Sequence, residues 1–215
     1  GITVGEDGGS HQAIEDLALM RAIPHMTVLA PADGVETRKA VMAIAKAQGP
    51  VYMRLGRLAV PTLLRPEDDW AVGKAQVLRQ GTDVTIVACG MMTAVALAAA
   101  DALAQEGVET TVINSATIKP LDAATILRAA RETGAVVTAE EHSIIGGLGS
   151  AVAEVLAEQH PTPLLRVGIS DIFGESGTPE ALLEKYGLTR EALILAVRQV
   201  RVKKNHLAGY SGKEK

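Results

Sequence analysis

Aromatic side chains are nearly absent from this sequence, at 2% of 215 residues with one Phe and one Trp. Its core must therefore be built from Ala, Val, Leu and Ile, which suits helices packed closely on a sheet. Cysteine occurs once, at Cys89 in the apolar run VTIVACG, so no disulfide can form within the chain and a buried thiol is expected. That usage fits a cytoplasmic protein. Basic charge is not in excess: 21 Lys and Arg against 25 Asp and Glu leave a net −4 with no basic stripe, which argues against nucleic acid as the main partner. No apolar run reaches membrane-spanning length, and no charged segment followed by a signal core opens the chain, so no membrane partner is expected. An initiator methionine is also lacking. The chain starts at Gly1, a few residues before its most chemical loop, and reads as part of a longer protein.

Hydrophobic residues make up 47% of the chain, enough for one large or two small cores. Along it, apolar strand-like runs alternate with helical patterns, which predicts an α/β fold of two doubly wound domains with a mostly parallel sheet in the second. A helix is expected over Gln12–Ala22, a strand over Met26–Ala30 and a helix from Asp33, its N-cap, with Glu36 completing a capping box. Val51–Leu55 reads as a strand. Leu58–Asp69 is proline-bearing, charged and aperiodic, so residues 61–72 are taken as a linker between domains 1–60 and 73–202. Beyond it come strands at Lys74–Arg79, Asp83–Ala88, Glu109–Asn114, Ala135–Ala139 and Pro163–Val167, with helices over Met92–Gln105, Ala123–Thr133 and Gly149–Gln159. Thr178 and Thr189 cap the last two helices, the final one ending near Val200, and residues 203–215 read as a mobile polar tail.

Chemistry concentrates in Gly5–Ile23, GEDGGSHQAIEDLALMRAI. Glycines there let the backbone take conformations closed to other residues, and two carboxylates and an imidazole follow one another within a turn-sized segment. On residue types and spacing alone, a surface loop whose Ser10 or Asp7 caps the following helix is the favoured reading. Arg54 and Arg57, at the end of a parallel-type strand, are placed where open α/β sheets bind ligands, and a guanidinium there can hold a phosphate with paired hydrogen bonds. Solvated surface arginines are the plain alternative. Ile145–Ser150 (IGGLGS) has the look of a nucleotide-binding glycine loop but lacks the dinucleotide spacing. Glu140-Glu141-His142 makes a poor metal site because adjacent carboxylates point different ways, and no metal site is expected in the chain. His25, His160 and His206 are expected in solvent.

The run GEDGGSHQ, an acidic-apolar helix and then RAIPHMTVLAPADGVE resembles the pyrimidine-binding domain of transketolases, with Gly9 for the usual Pro and Ser10 for Thr. EEHS, GGLGS and DIFGESGTPEALLEKYGLT are similar to the C-terminal domain of that family, where the first two serve packing and subunit contact. The resemblance implies a partial pyrimidine-binding domain followed by a C-terminal domain, as in the smaller subunit of a split transketolase of pentose phosphate chemistry. It implies that Asp7 contacts the sugar hydroxyls, that His11 hydrogen-bonds the substrate near the reacting carbon, and that Arg57, with Arg54 second, holds the sugar phosphate. Such donors stabilise charge that develops as a carbonyl is attacked. The cofactors implied are thiamine diphosphate and Mg, bound mainly outside this chain, because the family's activating glutamate and diphosphate motif are not in the sequence. The implied partners are a sugar phosphate substrate and an N-terminal transketolase subunit or domain, in a homodimer or heterotetramer. Two other readings stay open: a 1-deoxyxylulose-5-phosphate synthase, whose loop usually lacks this GED and the Glu15-Asp16 pair, and a non-catalytic C-terminal interaction module. The chain by itself is expected to be inactive.

Overall fold

Strand Val84–Ala88 (β4) has no side chain in contact with water, and the fold is arranged around it. A computed structural model describes residues 1–211. β4 lies between Thr110–Asn114 (β5) and Val136–Ser143 (β7), parallel to both. Leu164–Ile169 (β8) extends the sheet in parallel beyond β7, and Gln76–Arg79 (β3) closes the other edge antiparallel to β5. A continuous apolar strand is what a sheet covered on both faces requires. Helices Met92–Gln105 (α3) and Arg190–Ser211 (α7) bury Val84, Ile86 and Ala88 on one face. Ala123–Thr133 (α4) and Leu148–Gln159 (α5) bury Val87, Ile113 and Val136 on the other. Alanines at 96, 99 and 100 supply the small side chains that let α3 approach closely.

The second sheet is small. Thr27–Leu29 (β1) pairs in parallel with Val51–Met53 (β2), and helices Asp16–Ala22 (α1) and Gly34–Ile44 (α2) accompany them. Its third strand, Thr117–Lys119 (β6), comes from the later half of the chain and lies antiparallel to β1. The apolar contacts continue across: Leu17, Val28 and Ala30 share one cluster with Val87, Ile113, Ile118 and Leu148. The segment read as a linker lies strapped over α2, where Asp33 Oδ2 accepts from the Leu63 and Leu64 amides at 2.6 and 2.8 Å and Trp70 Nε1 donates to Glu36 at 2.8 Å.

Several boundaries differ from expectation, each for an identifiable reason. Helix α1 starts at Asp16, four residues later than Gln12, because Gln12 is extended and its side-chain amide is committed to the carbonyls of Ile2 and Glu175. Glu36 accepts from the Ala32 amide and from Asn114 Nδ2, so it is a buried cross-link in place of one half of a capping box; the Asp33 cap itself is present, at 2.7 Å. Strand β7 runs on to Ser143, since its polar end finds partners inside the protein. β6 was not anticipated at all. The final helix, α7, continues to Ser211, so residues 203–211 are helical and His206 sits on a helix; the rest of the expected tail, 212–215, lies outside the described residues. Thr178 caps Pro179–Lys185 (α6) as expected.

Candidate active site

The site loop is two short 3-10 turns, Ile2–Asp7 and Gly9–His11, joined at Gly8. Gly8 has φ +81, and a side chain on it would meet Ser176 Oγ at 2.5 Å. A Cβ on Gly9 would meet the Gly174 carbonyl oxygen at 2.7 Å. The loop therefore lies directly on residues 174–177. Gln12 ties it from within, donating to the carbonyls of Glu175 at 2.8 Å and Ile2 at 3.2 Å.

Three of the sequence-predicted residues gather on the outer side. Asp7 Oδ2 and Arg57 Nη1 are 2.6 Å apart, both well exposed. His11 and Arg57 line one cleft of about 420 Å³ at the carboxyl end of β2, and His11 Nδ1 lies 3.1 Å from Ser10 Oγ. An imidazole and a guanidinium facing an open cleft can orient and hold an oxygen-rich anionic ligand.

Arg54 borders the same cleft but its guanidinium turns inward, with 11% of the side chain exposed. Nη1 donates to the Glu141 carbonyl and Nη2 to the Ala13 carbonyl, both at 2.7 Å, and Nε faces Asp16 Oδ2 at 3.4 Å. The Tyr52 hydroxyl also donates to Asp16 Oδ2, at 2.7 Å; burial and that bond push its pKa up to about 12. The planar fork is spent on the protein's own oxygens. Thr3, Arg54 and Gly56 form the wall to a second cleft, about 260 Å³, that reaches Ala30, Cys89 and Glu141. Cys89 is a free, buried thiol as expected, its pKa pushed up by burial.

Sequence reasoning assigned Glu140-Glu141-His142 to packing, and the structure gives each a distinct partner. Glu140 Oε2 and Oε1 accept from the amides of Leu148 and Gly149 at 2.7 and 2.8 Å, so the start of α5 is filled by the protein's own carboxylate and the glycine loop has no anion left to bind. Burial pushes the Glu140 pKa up to about 7 against the pull of those two amides. The His142 ring accepts from the Ala18 amide at 3.3 Å and lies 2.6 Å from the Ser143 carbonyl; burial pushes its pKa down. Glu141 Oε1 accepts from both the amide and the hydroxyl of Thr3, at 2.8 and 2.7 Å. Glu141, Thr3 and Tyr52 were missed as site residues. The only available signal was the acidic Glu15-Asp16 pair, whose second member proves to be the buried acceptor of Tyr52 and Arg54.

An α/β chain that gathers polar residues beyond the carboxyl ends of parallel strands belongs to the broad class that binds small ligands there. The transketolase pyrimidine binding domain matches residues 1–62 and the transketolase C-terminal domain matches residues 73–193. The chain belongs to the transketolase family. It is 48% identical over 205 residues to the 6-deoxy-6-sulfo-D-fructose transketolase subunit of Clostridium sp. (strain MSTE9), covering 95% of this chain and 64% of that protein. It is 38% identical to an apulose-4-phosphate transketolase subunit of Phocaeicola vulgatus, covering 90% of this chain and 62% of that one. A solved structure described as a split gene transketolase, inactive beta4 tetramer, superposes with a TM-score of 0.89 at 55% identity, covering 91% of this chain and 64% of that one. The chain thus spans less than two thirds of the length of these relatives. Among the described residues no helix is long and apolar enough to cross a membrane, and no group of three His, Cys, Asp or Glu could hold a metal ion.

Proposed function

We propose that this chain is the substrate-facing part of a thiamine-diphosphate-dependent transketolase that moves a two-carbon ketol unit from a ketose phosphate to an aldose phosphate. The observation that carries the reading is the joint placement of His11 and Arg57 on one open cleft, with Asp7 paired to Arg57, within a chain of this family. Thiamine diphosphate, when bound, supplies the carbon nucleophile that attacks the ketose carbonyl. His11 hydrogen-bonds the oxygen next to the carbon–carbon bond being broken, accepting its proton on cleavage and donating it back in the reverse direction. Asp7 accepts from sugar hydroxyls and, paired with Arg57, keeps that guanidinium at the far end of the sugar. Arg57 grips the phosphate with its fork. Arg54, whose donors are occupied internally, supports the wall of the cleft.

The polar groups of this cleft suit a sugar phosphate better than a diphosphate with its metal. We therefore assign the cofactor and its Mg mainly to an N-terminal subunit or domain, joined with this chain in a dimer or heterotetramer in the cytoplasm. The relatives named for 6-deoxy-6-sulfo-D-fructose and apulose-4-phosphate both take sugars with an anionic group, and a guanidinium accommodates phosphate or sulfonate. The test is steady-state kinetics of the complete, cofactor-loaded protein with ketose phosphate donors. Arg57→Ala is expected to raise KM for phosphorylated sugars by about tenfold or more, the loss of a charge-assisted pair, and to leave unphosphorylated ones nearly unchanged. Equal effects on both would remove Arg57 from the phosphate site. Turnover by the isolated chain would overturn the assignment of the cofactor to another subunit or domain.

A further inference from the structure

Both ends of the loop that carries Asp7 and His11 are tied to one residue of β7. At the leading end, the Thr3 amide and hydroxyl both donate to Glu141 Oε1, at 2.8 and 2.7 Å. At the trailing end, Arg54 joins the Ala13 carbonyl to the Glu141 carbonyl through its two terminal nitrogens, each bond 2.7 Å. Thr3 precedes Asp7 by four residues and Ala13 follows His11 by two. Glu141 is 8% exposed and its two bonds from Thr3 are buried, away from competing water, where hydrogen bonds to charged groups are at their strongest; the Arg54 bridge lies nearer the surface. Between these two ties the loop is held from within by Gln12, which donates to the carbonyls of Ile2 and Glu175, and among the described residues no tie of this kind is made by the exposed side chains of Asp7 and His11 to the sheet. Its turns are short 3-10 segments with glycines at 5, 8 and 9, and His11 itself is exposed.

We infer that Glu141 is a positioning residue for catalysis: with Arg54 it clamps residues 3 and 13 so that Asp7 and His11 meet the substrate in a fixed geometry. A catalytic group displaced by about an ångström can cost a hundredfold in rate. Two buried bonds at one end and a two-armed bridge at the other hold the loop against such drift. Because Glu141 belongs to β7, a buried strand of the five-stranded sheet, the clamp joins the loop to the larger of the two sheets. The catalytic half of this inference rests on the transketolase reading above; the mechanical half does not.

The experiment is amide hydrogen exchange and steady-state kinetics on the complete protein with its partner and cofactor, comparing Glu141→Ala, Glu141→Gln and Arg54→Lys. Gln keeps an oxygen for Thr3, while Lys keeps the charge and cannot bridge two carbonyls. Glu141→Ala removes only the Thr3 tie, since Arg54 bonds the main-chain carbonyl of Glu141; it is expected to speed exchange in residues 3–7 by about tenfold or more, with β4 unchanged, and to lower kcat by about tenfold to a hundredfold at unaltered cofactor affinity. Glu141→Gln should restore both in part. If Glu141→Ala does not fold, Arg54→Lys carries the test, with faster exchange at residues 11–13 and a lower kcat. Unchanged exchange across residues 3–13, or a rise of the same size in β4, would overturn the clamp. Faster loop exchange with wild-type kcat and KM would overturn its catalytic role. If the loop responds as expected but the wild-type protein transfers no ketol unit, the clamp stands and the transketolase reading is what has failed.

Discussion

Two polar clusters lie on either side of the loop at residues 3–13, and they differ in what surrounds them. Asp7 and Arg57 meet at 2.6 Å in water, with 44% and 61% of their side chains exposed. Glu141, Thr3 and Arg54 meet at similar distances but are largely withdrawn from solvent, at 8%, 2% and 11% exposed. Distance alone would rank the two alike. An exposed pair gains only about 0–1 kcal/mol because water and salt screen it, and both groups remain free to turn toward a ligand. A buried group that loses its partner is left desolvated, at a cost of about 1–3 kcal/mol or more. The outer pair is therefore suited to exchange its partner for a substrate, and the inner set to stay where it is.

The largest effect is expected at Gly147, buried beside Glu140 and His142, the neighbours of Glu141 on β7. Its φ is −81, an ordinary value, but a Cβ there would run into the Glu140 carboxylate and come within 2.6 Å of His142 Nδ1. Gly147→Ala should destabilise the fold by about 1–3 kcal/mol, the usual cost of overpacking, as a shift of the urea midpoint. No shift would mean that the frame around Glu140 can relax, and the contrast with the outer pair would weaken.

A gentler probe is pH. Burial raises the Glu140 pKa from 4.5 to about 7, so over that window the folded state holds a proton that the unfolded state has released. Stability from this group is fully present below about 4.5 and is lost as pH rises through 7, with a slope of at most about 1.4 kcal/mol per pH unit. The groups facing it are the His142 ring at 3.6 Å, which burial keeps toward neutral, and the more distant Arg54 and Arg166. Melting curves between pH 4.5 and 8 should show a shallower decline for Glu140→Gln than for the wild type. Parallel curves would remove Glu140 as the source. The smallest effect belongs to the outer pair: Asp7→Ala should change unfolding free energy by no more than about 1 kcal/mol. A loss above about 2 kcal/mol in chemical denaturation would show that exposure does not separate the two clusters.

The four central and outer parallel strands and their helices were legible because their side chains repeat a local rule. VTIVA is apolar on both faces, and α4 has its Asp122 cap and the left-handed Gly134 that ends it. Strand β6 carried no such rule. Three residues, TIK, become a strand only because β1 offers an edge at that point. The candidate site divides in the same way. Asp7 and His11 stand in one motif with turn glycines and polar side chains, so their nearness was readable, whereas Arg57, 50 positions from Asp7, was joined to them only by the family resemblance. Arg54 looked like a second phosphate ligand because a sequence shows that a guanidinium is present and does not show which way it points.

The alternation of elements, the all-aliphatic core, the capped helices and the family motif were determined by the sequence alone, since each depends on residues within a turn or two of one another. The inward turn of Arg54, the carboxylate of Glu140 at the start of α5 and the grip of Glu141 on Thr3 were decided only in the folded chain. Those contacts join residues 87, 9 and 138 positions apart. What selects them is the removal of water: each buried donor and acceptor must find a partner among the groups that packing brings near, and only the tertiary structure determines which groups those are.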